Sequence, residues 1–172
     1  MSTGSYLSYS NTHPFVRTLW NRDIVFAHNG DVSEVKSNKD YELKTCVPSG
    51  DTDSEHAFCF IIEKLSAIND RDQKVLARAI WELAERIGRL GKFNFLLSDG
   101  EYLFAYMNRE GTLHYLLNPK TAIKVESGSS PEDLSVAIIA TEKLTDEEWV
   151  PMQPEVLYVF HRGSLVIKVP KE

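Results

Sequence analysis

Two stretches of the chain repeat their apolar residues at helical spacing. The first follows Thr52 and Glu55, whose three-residue separation has the form of a capping box and predicts that a helix begins there. Its apolar face consists of Ala57, Phe58, Ile61, Ile62 and Leu65. The second stretch runs from about Arg71 to Leu90, and Gly91 supplies a stop. Its apolar face consists of Val75, Leu76, Ala79, Ile80, Leu83, Ala84 and Ile87.

After Gly91 the pattern changes from helix to strand. "FNFLLS" and "EYLFAYM" flank the turn Asp99-Gly100 and predict a hairpin. Further strands are predicted for "LHYLL", "LSVAIIAT", "EVLYVFH" and "SLVIKV", the last two joined through Arg162-Gly163-Ser164. Two helices and about seven strands without βαβ alternation predict an α+β protein with a largely antiparallel sheet. "VAIIA" and "FNFLL" are apolar on both strand faces, so we expect them inside a sandwich.

The segment "FAHNGD" at 26–31 ends a strand-like run and allows two interpretations. Asn-Gly is a common hairpin signal because both residues tolerate a positive φ. Alternatively, the amide of Asn29 beside the N–H of Gly30 can form an oxyanion hole for a tetrahedral intermediate. The polar stretch that follows, 31–50, is predicted to be a surface loop, and a loop of this length is often functional.

Composition narrows the class of protein. The 172 residues, 42% hydrophobic and 26% charged, fit one globular domain, and the net charge of −6 offers no basic surface for nucleic acid or an anionic membrane. We therefore expect a small-molecule or protein partner, and no cofactor. Cys46 and Cys59 have neither CxxC spacing nor a set of partner ligands, so neither a disulfide framework nor a metal site is predicted. The absence of a signal pattern and of a long apolar run favours a reduced, cytoplasmic setting.

Five short motifs, taken in order, resemble the class II glutamine amidotransferase family. They are "NTHPF" at 11–15, "AHNG" at 27–30, "GDTDSE" at 50–55, "FNFLLSDG" at 93–100 and "ATEKLTDEEW" at 140–149. The likeness is greatest to the small stand-alone amidohydrolase-like members. It implies a four-layer α/β/β/α sandwich, the N-terminal-nucleophile hydrolase fold, over residues 1–172 as a single domain.

The resemblance also implies roles for four residues. Asn29 and Gly30 would form the oxyanion hole, and Asp53 would bind the α-amino group of glutamine or a γ-glutamyl compound. His13 would support the substrate site. Each has a plainer interpretation: an Asn-Gly turn, a carboxylate favoured by the helix dipole in a first turn, and a histidine that orders the turn at Pro14. His28 is expected to point to the other side of its strand from Asn29.

The start of the chain departs from the family pattern. Members use an N-terminal cysteine whose own α-amine is the base, whereas this chain begins "MSTGSYLSYS". The stretch "STG" resembles family sequence that follows an arginine which grips the glutamine carboxylate. We therefore expect a sandwich truncated at its N-terminus, an incomplete domain without nucleophile, base and arginine. Ser2 or Thr3 could instead replace the cysteine, although the short distance from Ser2 to Asn29 speaks against it.

Two classes of function follow. The chain is either the glutamine-hydrolysing domain of an amidotransferase, active only with a complementing N-terminal segment, or a non-catalytic binding module that keeps half of the site. A truncated sandwich would also expose apolar strand surface and favour self-association.

Overall fold

The computed structural model describes residues 8–109, 112–119 and 135–169, which contain two α-helices and nine β-strands. The helices are α1 (Asp53–Ser66) and α2 (Gln73–Gly88). The strands are β1 (Phe15–Leu19), β2 (Arg22–Asp31), β3 (Lys92–Ser98), β4 (Tyr102–Met107), β5 (His114–Leu117), β6 (Ala137–Ala140), β7 (Val150–Pro151), β8 (Val156–His161) and β9 (Ser164–Val169). None of the described helices combines the length and apolar character that crossing a membrane would need.

The strands form two sheets, and every described pairing is antiparallel, as predicted. The larger sheet has the order β1-β2-β3-β4-β8-β9, and the smaller has the order β6-β5-β7. Short hairpins join three neighbouring pairs of the large sheet, β1–β2, β3–β4 and β8–β9. In the turn between β1 and β2, Trp20 and Asn21 have φ of 54° and 59°, the left-handed geometry that a two-residue hairpin requires.

The protein has three layers among the described residues: helices, large sheet, small sheet. Both helices pack on one face of the large sheet, where Phe58 of α1 stacks on Phe26 of β2 at 4.9 Å between ring centroids. On the other face, Tyr115 of the small sheet lies 5.7 Å from Tyr158 and 5.8 Å from Phe160. Both helices thus lie on the same side of the large sheet, and the layers are the α/β/β part of the expected α/β/β/α sandwich.

Several predicted elements differ from the observed ones. Strand β1 was not predicted, although it alternates between buried and exposed residues. The inward face of α2 is rotated from the predicted one, because Trp81 and Ala77 are buried whereas Val75 is 38% exposed. The interior placement is confirmed for "FNFLL" but is wrong for "VAIIA": β6 is half-exposed because it is an edge strand of the small sheet. Leu134, which begins the predicted strand, lies outside the described residues.

The loop between β2 and α1 is more ordered than a polar surface loop. It contains two 3-10 turns, Ser33–Lys36 and Lys39–Tyr41, and it buries Val32, Val35 and Tyr41. Part of the loop is therefore a segment of the core, which its polar composition conceals.

The expectation of two unpaired cysteines is wrong, since Cys46 and Cys59 form a disulfide with 5.4 Å between their Cα atoms. The loop lies along α1 because Oε1 of Glu63 accepts hydrogen bonds from the backbone N–H groups of Lys44, Thr45 and Cys46. Burial acts to raise the pKa of Glu63, but these donors lower it overall. Cys59 and Glu63 are four residues apart on one face of the helix, so the loop that contacts the Glu63 carboxylate also reaches the sulfur of Cys59. A cytoplasmic location stays a prediction.

Candidate functional site

The Asn29-Gly30 pair lies inside a strand. β2 continues to Asp31, and its register against β3 pairs Asn29 with Asn94 and Gly30 with Phe93. Neither Asn29 nor Gly30 has a positive φ. The hairpin-turn interpretation is therefore wrong. The long partner strand β3 keeps this segment extended.

His28 and Asn29 face opposite sides of the sheet, as expected. His28 is buried on the helix side, whereas Asn29 is exposed on the side away from the helices. The alternation of a β-strand produces this division.

His28 connects three elements. Its Nε2 lies 3.2 Å from the carbonyl oxygen of Lys92 on β3, and its Nδ1 lies 2.8 Å from Oγ of Ser54 on α1. A carbonyl only accepts, so Nε2 carries the hydrogen and Nδ1 accepts from the Ser54 hydroxyl. Burial lowers the pKa of His28, against the opposing effects of Lys92 and Asp53, and so favours the neutral ring.

The pair Ser54 and His28 has the form of a nucleophile and its base, but its position excludes that role. Both side chains are buried on the helix side of β2, and Asn29 projects from the opposite side. A substrate carbonyl at Asn29 would be separated from Ser54 by the strand itself. The pair instead fixes the start of α1 against β2.

Gly30 has a packing reason to be glycine. A Cβ at this position would lie 1.8 Å from the carbonyl oxygen of Lys92 and 2.7 Å from Nε2 of His28. The pairing of β1 with β2 ends at Phe15 opposite Phe26, so residues 27–31 have no strand partner on that side among the described strands. Asn29 and Gly30 therefore occupy an open stretch of strand edge.

Asp53 is the first residue of α1, after the N-cap Thr52. Its Oδ2 accepts a hydrogen bond of 2.7 Å from the backbone N–H of Val32, and its Oδ1 accepts one of 2.8 Å from the backbone N–H of Ser54. These contacts bring the carboxylate to the end of β2, two residues after Gly30. Each oxygen keeps further acceptor capacity, so the structural contacts leave room for an ammonium group.

His13 lies close enough to Asp53 for their charges to interact. Burial lowers the pKa of His13, and the Asp53 carboxylate opposes that shift. The ring packs edge-on against Phe15, with 4.6 Å between centroids, and the peptide bond to Pro14 is cis. The Nε2 atom is buried and has no hydrogen-bond partner.

The capping-box interpretation did not predict the main contacts of the Glu55 carboxylate. Thr52 Oγ1 does accept from the N–H of Glu55, at 3.1 Å. However, the Glu55 carboxylate, only 1% exposed, turns to the preceding loop and accepts from the N–H groups of Ser49 and Gly50 and from Arg17. A buried carboxylate needs such a cation and such donors. Nothing in a single sequence connects Arg17 with Glu55, 38 residues away.

Asn94, within the motif "FNFLLSDG", received no role from the sequence. It is 1% exposed and lies directly opposite Asn29. Its Oδ1 accepts from the backbone N–H of Asn108 at 3.4 Å, whereas its Nδ2 has no hydrogen-bond partner. A buried polar residue in an otherwise apolar strand was the signal that could have singled it out.

Within the described ranges, no group of three His, Cys, Asp or Glu side chains could hold a metal ion. The arrangement around β2 can nevertheless offer hydrogen-bond donors at an open edge and a carboxylate beside them.

Comparison with known proteins assigns the chain to a family. Residues 1–172 match the sequence profile of the family "Glutamine amidotransferases class-II". The Escherichia coli protein named "Putative glutamine amidotransferase YafJ" is 36% identical over 176 residues, which cover 94% of this chain and 67% of that protein. An uncharacterized protein of Methanocaldococcus jannaschii is 36% identical over 171 residues, covering 92% of this chain and 47% of the relative.

A solved structure has the same fold. The crystal structure of a "predicted glutamine amidotransferase from Pseudomonas aeruginosa PA01" matches with a TM-score of 0.75 and 30% identity over 92% of this chain and 66% of that chain. The chain thus spans about half the length of the archaeal relative and about two thirds of the two bacterial ones. The protein belongs to the class II glutamine amidotransferases and has the N-terminal-nucleophile hydrolase fold.

Proposed function

We propose that this chain carries the oxyanion-stabilising and amine-binding part of a site that hydrolyses the side-chain amide of glutamine or of a γ-glutamyl compound. One observation carries the proposal: Asn29 projects from an open stretch of strand edge while Asp53, at the start of α1, is hydrogen-bonded to the end of the same strand. A donor for the developing oxyanion and an acceptor for an ammonium group therefore lie at one end of β2.

In this proposal each residue has a distinct task. Nδ2 of Asn29 and the N–H of Gly30 donate to the oxygen that becomes negative when the amide carbon is attacked. The Asp53 carboxylate binds the α-amino group and so orients the substrate. His13 lines the site and contributes a neutral ring, because burial lowers its pKa.

The proposal also requires a nucleophile, and a cysteine outside the described residues fits that role, as in the family pattern. Its α-amine serves as the base, and an amine with a pKa near 8 suits neutral pH. The arginine for the substrate carboxylate is likewise proposed to lie outside the described residues. Ser2 and Thr3, the rival nucleophiles, lie outside the described residues, and Cys46 is joined to Cys59 and offers no thiol.

The test uses the protein extended by a cysteine-initiated N-terminal segment, with ammonia release as the readout. Asn29→Ala should lower kcat by about 10² to 10³, because the donor acts on charge that appears only in the transition state. Asp53→Ala should mainly raise KM, since the ammonium contact exists in the bound substrate as well. Thr18→Ala, an exposed strand residue in β1, is the control and should leave both constants unchanged. Equal effects of Asn29→Ala and Thr18→Ala would refute the oxyanion assignment.

A non-catalytic binding module is the second candidate, and the packing of Gly30 favours it. A side chain at this position would collide with Lys92 and His28, so glycine would be retained without any catalysis. Gly30→Ala is for the same reason a poor probe of the oxyanion hole. The genomic sequence upstream of Met1 distinguishes the candidates: an in-frame Met-Cys start favours the enzyme, and stop codons in every frame favour the module.

A further inference from the structure

Asn94 and Asn29 share one face of the large sheet. They are directly opposite each other on β3 and β2, and opposite residues of an antiparallel pair project to the same side with Cβ atoms about 4.5–5.5 Å apart. Phe93 and Phe95, the neighbours of Asn94, point into the helix-side core. Asn94 must therefore face away from the helices, as Asn29 does.

The orientation of the Asn94 amide follows from its contact with Asn108. A backbone N–H only donates, so the atom that accepts from it is the carbonyl oxygen Oδ1. The amide nitrogen Nδ2 is then the atom without a partner. An unpaired donor on a side chain that is 1% exposed is unusual, because buried donors in folded proteins normally bond to an acceptor.

The side-chain oxygen of Asn29 could accept a hydrogen bond from such a donor. The Asn29 side chain is exposed, and its Oδ1 has a marginal contact of 3.5 Å with Nζ of Lys92. A primary amide that turns by 180° about its last bond exchanges donor and acceptor. An oxyanion site works only when Nδ2, and not Oδ1, is presented to the substrate.

We propose that Asn94 is a positioning residue: its free Nδ2 donates to Oδ1 of Asn29 and thereby holds Nδ2 of Asn29 toward the oxyanion. This inference rests on the proposed function of Asn29. The bond forms when the exposed Asn29 side chain turns toward β3, which satisfies the buried donor and removes the wrong amide orientation in one step.

The first test needs no enzyme activity and uses the 172-residue chain labelled with ¹⁵N. The side-chain NH₂ signals of Asn29 are assigned by their loss in Asn29→Ala. Asn94→Asp keeps an oxygen for Asn108 but has no donor for Asn29, so it should shift the Asn29 NH₂ pair, and Asn94→Leu should do the same. Leu96→Ala, two residues along the same strand, is the control and should shift the pair far less. Asn29 signals that ignore both Asn94 variants would overturn the proposal.

The second test is a double-mutant cycle in the extended protein. Asn94→Leu should lower kcat about three- to tenfold, the usual effect of one neutral hydrogen bond, and should leave KM for glutamine unchanged. In the Asn29→Ala background the same substitution should have no further effect, because the residue acts through Asn29. A full additional loss in that background would show an independent role and overturn the inference. An extended protein that releases no ammonia would refute the proposed function, while the NMR result would still decide the role of Asn94.

Discussion

At the scale of single residues, Glu55 is the side chain that depends most on its partners in the structure. It is a carboxylate that is almost fully buried and is held by Arg17 and two backbone N–H groups of the loop before α1. Glu55→Ala removes the acceptor for all of them and should lower the free energy of unfolding by about 2 to 4 kcal/mol. Glu82→Ala breaks an exposed pair with Arg78 and should cost no more than about 0.5 kcal/mol. Urea denaturation of both variants measures the difference, and equal losses would contradict the burial argument.

The neutral His28 ring makes stability depend on pH. Its pKa in the folded protein lies below the ordinary 6.5, chiefly through burial, so the unfolded chain takes up a proton more readily than the folded protein does. The stabilisation is therefore complete above pH 6.5 and is lost as the pH falls through the window below it. His13 acts in the same direction.

We accordingly expect the free energy of unfolding to decrease as the pH falls from about 6.5 to 5.5, before most carboxylates titrate. His28→Gln replaces the titrating ring with an amide that can still meet Ser54 and Lys92, so the dependence should become shallower. Urea denaturation at several pH values provides the measurement. An identical slope in the wild-type protein and the variant would contradict this account of His28.

At the scale of elements, two hairpin glycines allow a matched comparison. Gly100 and Gly163 have similar φ values, +85° and +75°, but a Cβ at Gly100 meets nothing within 4 Å, whereas one at Gly163 lies 2.0 Å from the carbonyl oxygen of Ser135. Gly100→Ala should cost about 1 kcal/mol for the left-handed conformation alone. Gly163→Ala should cost about 2 to 4 kcal/mol, because the backbone of Ser135 must also move. Thermal denaturation of the two variants tests this order, and a reversed order would be incompatible with the packing at β8–β9.

Elements with strong local patterns could be predicted from the sequence, and those defined by distant partners could not. The start of α1 at Thr52 and the β3–β4 hairpin at Asp99-Gly100 follow from capping and turn chemistry, which are local. The extension of β2 through Gly30 depends on β3, more than 60 residues later, which overrides the turn preference of Asn-Gly. The buried face of α2 also could not be predicted correctly, because only the packed structure shows that Trp81 is buried.

The candidate site also combines residues that local motifs predict with contacts between distant residues that they do not predict. The motifs singled out Asn29, Gly30, Asp53 and His13, and the structure brings Asp53 to the end of β2 that carries the first two. The contacts of Arg17 with Glu55, of His28 with Ser54 and of Cys46 with Cys59 join residues 13 to 38 positions apart. No local pattern encodes such pairs, because they depend on how the loop folds over α1.

At the scale of the whole molecule, the face of β1 and β2 away from the helices is a candidate for self-association. Val16 on this face is 45% exposed, and Val25 and Ala27 are half-buried beside it. Exposed apolar strand surface favours association, so light scattering should detect oligomers of the chain. Val16→Lys should reduce their size, whereas Val75→Lys, a similarly exposed valine on α2, should not. A stable monomer at all concentrations would contradict association through this face.

The central proposal is that Asn29 and Gly30 form the oxyanion side of a glutaminase site whose nucleophile is a cysteine outside the described residues. The most direct measurement compares ammonia release from glutamine by the chain alone and by the chain joined to a cysteine-initiated N-terminal segment, with the cysteine changed to alanine as the control. Without a nucleophile the donors at Asn29 have no developing charge to stabilise, so the chain alone should be inactive. The extended protein should release ammonia, and the Cys→Ala control should not. Rapid hydrolysis by the chain alone, or an extended protein as inactive as its control, would contradict the claim.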